Sequence, residues 1–150
     1  MRDPATGFSK VAMAAALFLS GTTSATAFDA YAWQNRPLVI SAPAETDPAL
    51  AEQRAFLAAI REDLKERDMV VIEVVGDSVG ALLGSAPALS SDAIRAATGL
   101  KPDRFGVALV GKDTGVKLRE TRPVSGAQLF SLIDSMPMRR REMRNRGSDS

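Results

Sequence analysis

The stretch Met69-Val70-Val71-Ile72-Glu73-Val74-Val75 (MVVIEVV) decides how the rest of the chain is read. Five of its seven residues are β-branched and only Glu73 is polar. A near-continuous apolar run of this length reads as a strand buried on both faces, the pattern of a parallel pairing. Immediately upstream lies a helical pattern. Asp47 fits an N-cap, and Pro48 fits the first helical position, where a missing N–H costs nothing. Leu50, Leu57, Ile60 and Leu64 then recur as one stripe, with Phe56 alongside, which predicts a helix to about Arg67. Glu62/Lys65 and Asp63/Arg67 form opposite-charge pairs on its wet face. Before the helix, residues 36–41 (RPLVIS) form a first strand around Leu38, Val39 and Ile40. Strand, helix and strand make a βαβ unit with a right-handed crossover.

Downstream, residues 76–89 read as an irregular connection, with glycines at 76, 80 and 84 and Pro87. The segment Gly76-Asp77-Ser78-Val79-Gly80 matches neither glycine-rich nucleotide pattern. Ser90 or Ser91 caps a short helix that stops at Gly99. Residues 105–110 (FGVALV) and 116–121 (VKLRET) flank a tight turn at 112–115, predicting a β-hairpin. Val116 and Leu118 face the core, with Lys117 and Arg119 on the outer face of an edge strand. Ser125 and Gln128 form a capping box and Val124 and Leu129 its staple. Leu129, Leu132, Ile133 and Met136 are the buried stripe of that last helix, and Pro137 ends or kinks it. The expected fold is one α/β domain, β-α-β-α-β-β-α, with a four-stranded mixed sheet and flanking helices.

The first 27 residues stand apart. Arg2 and Lys10 precede an uncharged run, residues 11–19 (VAMAAALFL), and a small polar stretch ends in Ala25-Thr26-Ala27. This is the pattern of a secretory signal peptide cut between Ala27 and Phe28. Nine apolar residues are too few to span a bilayer, which takes roughly 20, so no transmembrane helix is expected in the mature chain. Export places the protein in the periplasm or outside the cell. The domain is then residues 28–143, followed by a disordered basic tail, 144–150. Without Arg2, Lys10 and Asp3, 17 basic and 17 acidic side chains remain, so overall charge predicts neither nucleic-acid nor membrane binding. The chain has no cysteine and no histidine. Thiol chemistry, Ser-His-Asp hydrolysis and zinc sites built on Cys or His are therefore excluded. No cofactor, metal or catalytic residue is assigned.

The order of elements is that of the thioredoxin-like core. Five segments resemble one family: residues 36–40 (RPLVI), Asp47-Pro48, 66–74 (ERDMVVIEV), Gly111-Lys112-Asp113 with 115–119 (GVKLR), and 136–140 (MPMRR). It is the peroxiredoxin-like domain of unknown function of exported bacterial proteins, also found in vertebrate extracellular sushi-repeat proteins. The resemblance spans about residues 33–143. It implies a thioredoxin-like fold whose reactive cysteine would lie where the first strand meets the first helix. Here that segment is 42–47 (APAETD), without a thiol, so no peroxidase or disulfide-exchange activity carries over.

Several residues are candidates for a binding site, each with an ordinary structural role beside it. Glu45 and Asp47 at the first helix are either caps or a polar site suited to a cation. Glu73 inside its apolar strand needs a basic partner and is otherwise a candidate carboxylate. Lys112, Asp113, Lys117 and Arg119 are turn and edge residues or an anion- or partner-binding patch. Arg139, Arg140, Arg141, Arg144 and Arg146, with Glu142 as sole acid, are a solvated tail or an attachment to an anionic envelope partner or acidic protein. The leading expectation is an exported, non-catalytic binding module. Its competitor is a cysteine-free enzyme built from Glu45, Glu73, Lys112 and Asp113, which requires those four side chains to share one pocket.

Overall fold

The computed structural model of the chain describes residues 27–149. The predicted signal segment, up to its last residue, lies outside the described residues. A 3-10 turn, Asp29–Tyr31, precedes β1, Arg36–Ala42. The order continues with α1 (Pro48–Ala58), α2 (Arg61–Glu66), β2 (Met69–Val75) and β3 (Ser78–Leu83). Then come α3 (Ser91–Thr98), β4 (Gly106–Val110), β5 (Val116–Glu120), α4 (Gly126–Ser135) and α5 (Pro137–Gly147).

The strands form one mixed sheet in the order β3-β2-β1-β4-β5. β1 and β2 run parallel, Arg36 opposite Met69 and Ile40 opposite Glu73, as the apolar run at 69–75 requires. β4 is antiparallel to β1, and β5 closes the predicted hairpin at the edge. Side chains of β1 alternate between two cores. Leu38 and Ile40 pack under α1, α2 and α4 with Leu50, Leu57, Leu64, Leu129 and Ile133. Val39 faces the opposite side with Phe28, Tyr31, Ile72 and Ile94.

Three expectations are corrected. The sheet has five strands, because residues 78–83 pair with β2. Gly76 and Asp77 make a two-residue hairpin there, Gly76 taking the positive φ (+56°) that such a turn requires of its first central residue. Gly80 and Ala81 conceal the strand, since neither has β propensity and this edge is carried by its pairing. The single long helix is two: Ile60 leaves the helical region (φ −126°, ψ 24°) and lets α2 tilt onto the sheet. Leu57 and Leu64 stay buried across that break while Phe56 is exposed. Finally, the chain after Pro137 does not leave the core. Proline is tolerated at the first position of a helix, and here it opens α5, whose Arg139 is 1% exposed.

The predicted caps are present. Asp47 accepts from the Ala49 N–H, Ser90 from Ala93 and Ser125 from Gln128. One stabilising contact was not predicted. Buried Gln53 of α1 donates to Val124 O (3.0 Å) and accepts from Val124 N–H (2.7 Å), satisfying both backbone groups just before α4. Replacing Gln53 by Ala orphans two buried backbone groups and should cost about 2 kcal/mol or more. Ser125→Ala should cost about 1 kcal/mol, the usual worth of a cap. Urea midpoints of the two variants check this, and the reverse order would refute the ranking.

Candidate functional site

The predicted site residues fall at opposite ends of β1, about 20 Å apart for a seven-residue strand. At the C-terminal end, Arg54 of α1 holds two carboxylates. Its Nε donates to Glu73 (2.7 Å) and its terminal nitrogens to Glu45 (2.8 Å). Hydrogen bonding from Arg54 lowers the Glu45 pKa, and the two acids together raise that of Arg54. Glu73 thus has the basic partner its strand position demanded. Behind this group, buried Arg95 of α3 donates to Ser41 Oγ and to the carbonyl of Gly76, tying α3 to the ends of β1 and β2. Every functional group here has an internal partner.

The N-terminal end of β1 is richer in charge. Arg36 opens the strand at 1% exposure and makes a two-pronged contact with Glu142 of α5, at 3.1 and 3.3 Å. Lys112, following β4 and 8% exposed, donates to Glu142 (2.6 Å) and to Asp68 (2.9 Å). Asp68 is a turn residue at φ +54°, a conformation aspartate tolerates better than most. Arg139 reaches Glu66 (2.9 Å) and Asp134 (3.2 Å), and Arg67 also pairs with Asp134 (2.9 Å) while lying over the Phe130 ring. The predicted Asp63/Arg67 side-chain pair is therefore replaced: Arg67 donates to the Asp134 carboxylate and, at Asp63, to the backbone carbonyl. Burial pushes the Glu142 carboxyl up, but Arg36 and Lys112 outweigh it and hold the pKa below its ordinary value. Arg67 and Arg139 lower Asp134, and Arg139 lowers Glu66.

The remaining candidates divide. Asp113 pairs with Lys117 (2.7 Å), which lowers its pKa, and accepts from Gly115 N–H as a turn residue. Arg119 donates to the Thr98 carbonyl at the end of α3, packing over Gly99, so it braces a helix C-terminus. The outer face of the hairpin is thus a set of internal contacts. On α5, Arg139 and Glu142 turn inward, and Arg146 also reaches Glu66. Arg140, Arg141 and Arg144 are exposed and make no ion pair among the described residues. The enzyme constellation does not assemble: Glu45 and Glu73 share Arg54, Lys112 belongs to the far network, and Asp113 pairs with Lys117.

Between the β4–β5 turn and the α4–α5 junction lies a groove of about 440 Å³, lined at one end by Arg36, Lys112 and Lys117. Sequence reading missed Arg36, Asp68, Asp134 and Glu142 as members of the site. Two signals were available: an arginine opening a strand that is otherwise buried, and a lone acid in a run of arginines.

Glu142 is the carboxylate shared by three buried cations, Arg36, Lys112 and Arg139, so Glu142→Ala should destabilise the domain by about 3 kcal/mol. Glu142, Asp134 and Glu66 ionise at lower pH in the folded state than in the unfolded chain. Their stabilisation is complete above the ordinary carboxylate range near pH 4 and is lost as pH falls through their folded values. Urea unfolding from pH 7 to pH 3 should show stability falling in that acid window, less steeply in Glu142→Ala.

No solved structure matches the chain. The chain is 33% identical, over 130 residues, to the coiled-coil domain-containing protein 80 of Danio rerio. The match covers 75% of this chain and 15% of that protein's length. A family model, described as a domain of unknown function (DUF4174), matches residues 27–142, which hold β1, the hairpin and the inward face of α5 through Glu142. The chain therefore belongs to the DUF4174 family, and its buried charge network lies within the family's own domain.

Proposed function

We propose that the protein is an exported, thioredoxin-like interaction module without thiol chemistry, and that it docks on an anionic surface of the cell envelope through the outer face of α5. The observation that carries the docking reading is the division of charge on that helix. At about 100° per residue, Arg140, Arg144 and Arg141 fall within one arc of about 100°. All three are exposed and without an ion pair among the described residues, while Arg139 and Glu142 on the other side are spent on the core. Guanidinium groups stay charged at every physiological pH and present planar forks suited to phosphate or carboxylate. Exposed charges are screened within about 8 Å at physiological salt, so such a face acts on a surface in contact with it.

Other features support the rest of the reading. With β3 set aside and α1 and α2 taken as one crossover, the order is β-α-β-α-β-β-α, followed by α5. The junction of β1 and α1 carries Glu45 and Asp47 in place of a thiol. Phe28, the first residue after the predicted cut, is fully buried, so cleavage there spares the domain. No described helix is long and apolar enough to cross a membrane.

Two outcomes follow. Cell fractionation should recover protein whose amino terminus is Phe28 outside the cytoplasm; full-length protein held in the cytoplasm would refute export. The protein should sediment with phosphatidylglycerol vesicles at low salt and be released at high salt. Charge reversal at Arg140, Arg141 and Arg144 should reduce sedimentation at least tenfold, whereas equal binding by both forms would remove α5 from the mechanism. Retention of partner binding in envelope extract, without vesicle binding, would assign the face to an acidic protein and overturn the lipid-like surface.

A further inference from the structure

The groove between the β4–β5 turn and the α4–α5 junction joins basic side chains to an apolar wall. Arg36, Lys112 and Lys117 line one end of it. Leu132, Met136, Pro137 and Met138 supply an apolar wall. Its volume, about 440 Å³, lies within the range of small-molecule sites, about 300–1,000 Å³.

The basic end has unused donors. Arg36 spends its two terminal nitrogens on Glu142 and the Arg67 carbonyl, and its Nε–H has no partner. Among the described residues it is the sole buried side-chain polar atom left so. An unmet buried donor costs about 1–3 kcal/mol, which an incoming acceptor would recover. Lys112 directs its ammonium at two carboxylates, leaving one of three N–H groups for a further acceptor. The Asp113 carboxylate is already engaged by Lys117 and Gly115, which lessens its repulsion of an anion.

The Arg36 Nε–H is closed to solvent, so an acceptor reaches it only when a lining side chain yields. Met136 and Met138 are unbranched thioethers, the side chains best able to do so.

We propose that this groove binds an amphipathic monocarboxylate, its head group beside Arg36, Lys112 and Lys117 and its apolar body along Leu132, Met136, Pro137 and Met138. A neutral amphiphile lacks the charge that the basic end attracts, and a short carboxylate lacks the body that fills the wall. The site is separate from the outer face of α5, so either can hold without the other.

Calorimetric titration of the purified protein with decanoate, below its micelle-forming concentration, tests the proposal. Decanol and acetate serve as the body-only and head-only comparisons. The expected result is saturable one-to-one binding of decanoate, at least tenfold tighter than either comparison. Trp33, the chain's sole tryptophan, donates its backbone N–H to the Lys112 carbonyl and provides a fluorescence signal for the same titration. Arg36→Met should abolish the preference for decanoate over decanol. Since Arg36 is buried and that variant can fail to fold, Lys117→Glu at the exposed rim is the second variant. It should weaken decanoate at least tenfold and leave decanol unchanged. Equal affinity for decanoate and decanol, no saturable decanoate binding, or a Lys117→Glu variant that binds decanoate as before would overturn the proposal.

Discussion

A guanidinium shut away from water at the start of a buried strand must be met by carboxylates, and the placing of the C-terminal helix follows from that requirement. Arg36 sits where β1 enters the sheet, with Lys112 at the exit of β4 beside it and Arg139 arriving from α5. Removing three cations from water costs several kcal/mol each unless good geometry and further hydrogen bonds compensate. Glu142 reaches all three, at 3.1 Å to Arg36, 2.6 Å to Lys112 and 3.7 Å to Arg139, and Asp68, Asp134 and Glu66 complete the set. An apolar residue at each position would pack with less expense, so the network is better read as a device that fixes where α5 lies. Apolar contacts alone would let a short helix slide or rotate, whereas a two-pronged Arg36–Glu142 contact admits one register.

The two ends of β1 therefore do different things. At the end that leads into α1, Arg54 joins Glu45 and Glu73, and Arg95 meets Ser41 and the Gly76 carbonyl. Such a closed arrangement holds strand ends and a helix together. At the other end, the network closes except for one buried N–H, beside a groove with an apolar wall.

Much of the architecture was legible. The parallel β1–β2 pair followed from the apolar run at 69–75, the hairpin from alternation on either side of the 112–115 turn, and three caps from their residue types. β3 was passed over because glycine and alanine fill its centre, although the Gly76-Asp77 pair between two runs is itself a hairpin signal. The break between α1 and α2 was hidden because the apolar stripe continues through it, and stripes record which face is buried rather than where the axis bends. Pro137 ends α4 as its pattern predicts, and its fixed φ also opens α5, a second helix that no apolar stripe announces.

The candidate site was legible only by residue type. Composition alone ruled out thiol and imidazole chemistry, and local pattern placed Glu73 in a strand where it needed a cation. The spacing of residues could not say that this cation is Arg54, or that Arg36, Lys112 and Glu142 meet across more than a hundred positions of chain. Periodicity and capping are interactions between near neighbours, so a sequence records them directly. Partners brought together by sheet order and helix docking depend on how several elements pack at once, and for this protein only the tertiary structure decided which charges are buried and paired and which three arginines of α5 are left facing outward without an ion pair among the described residues.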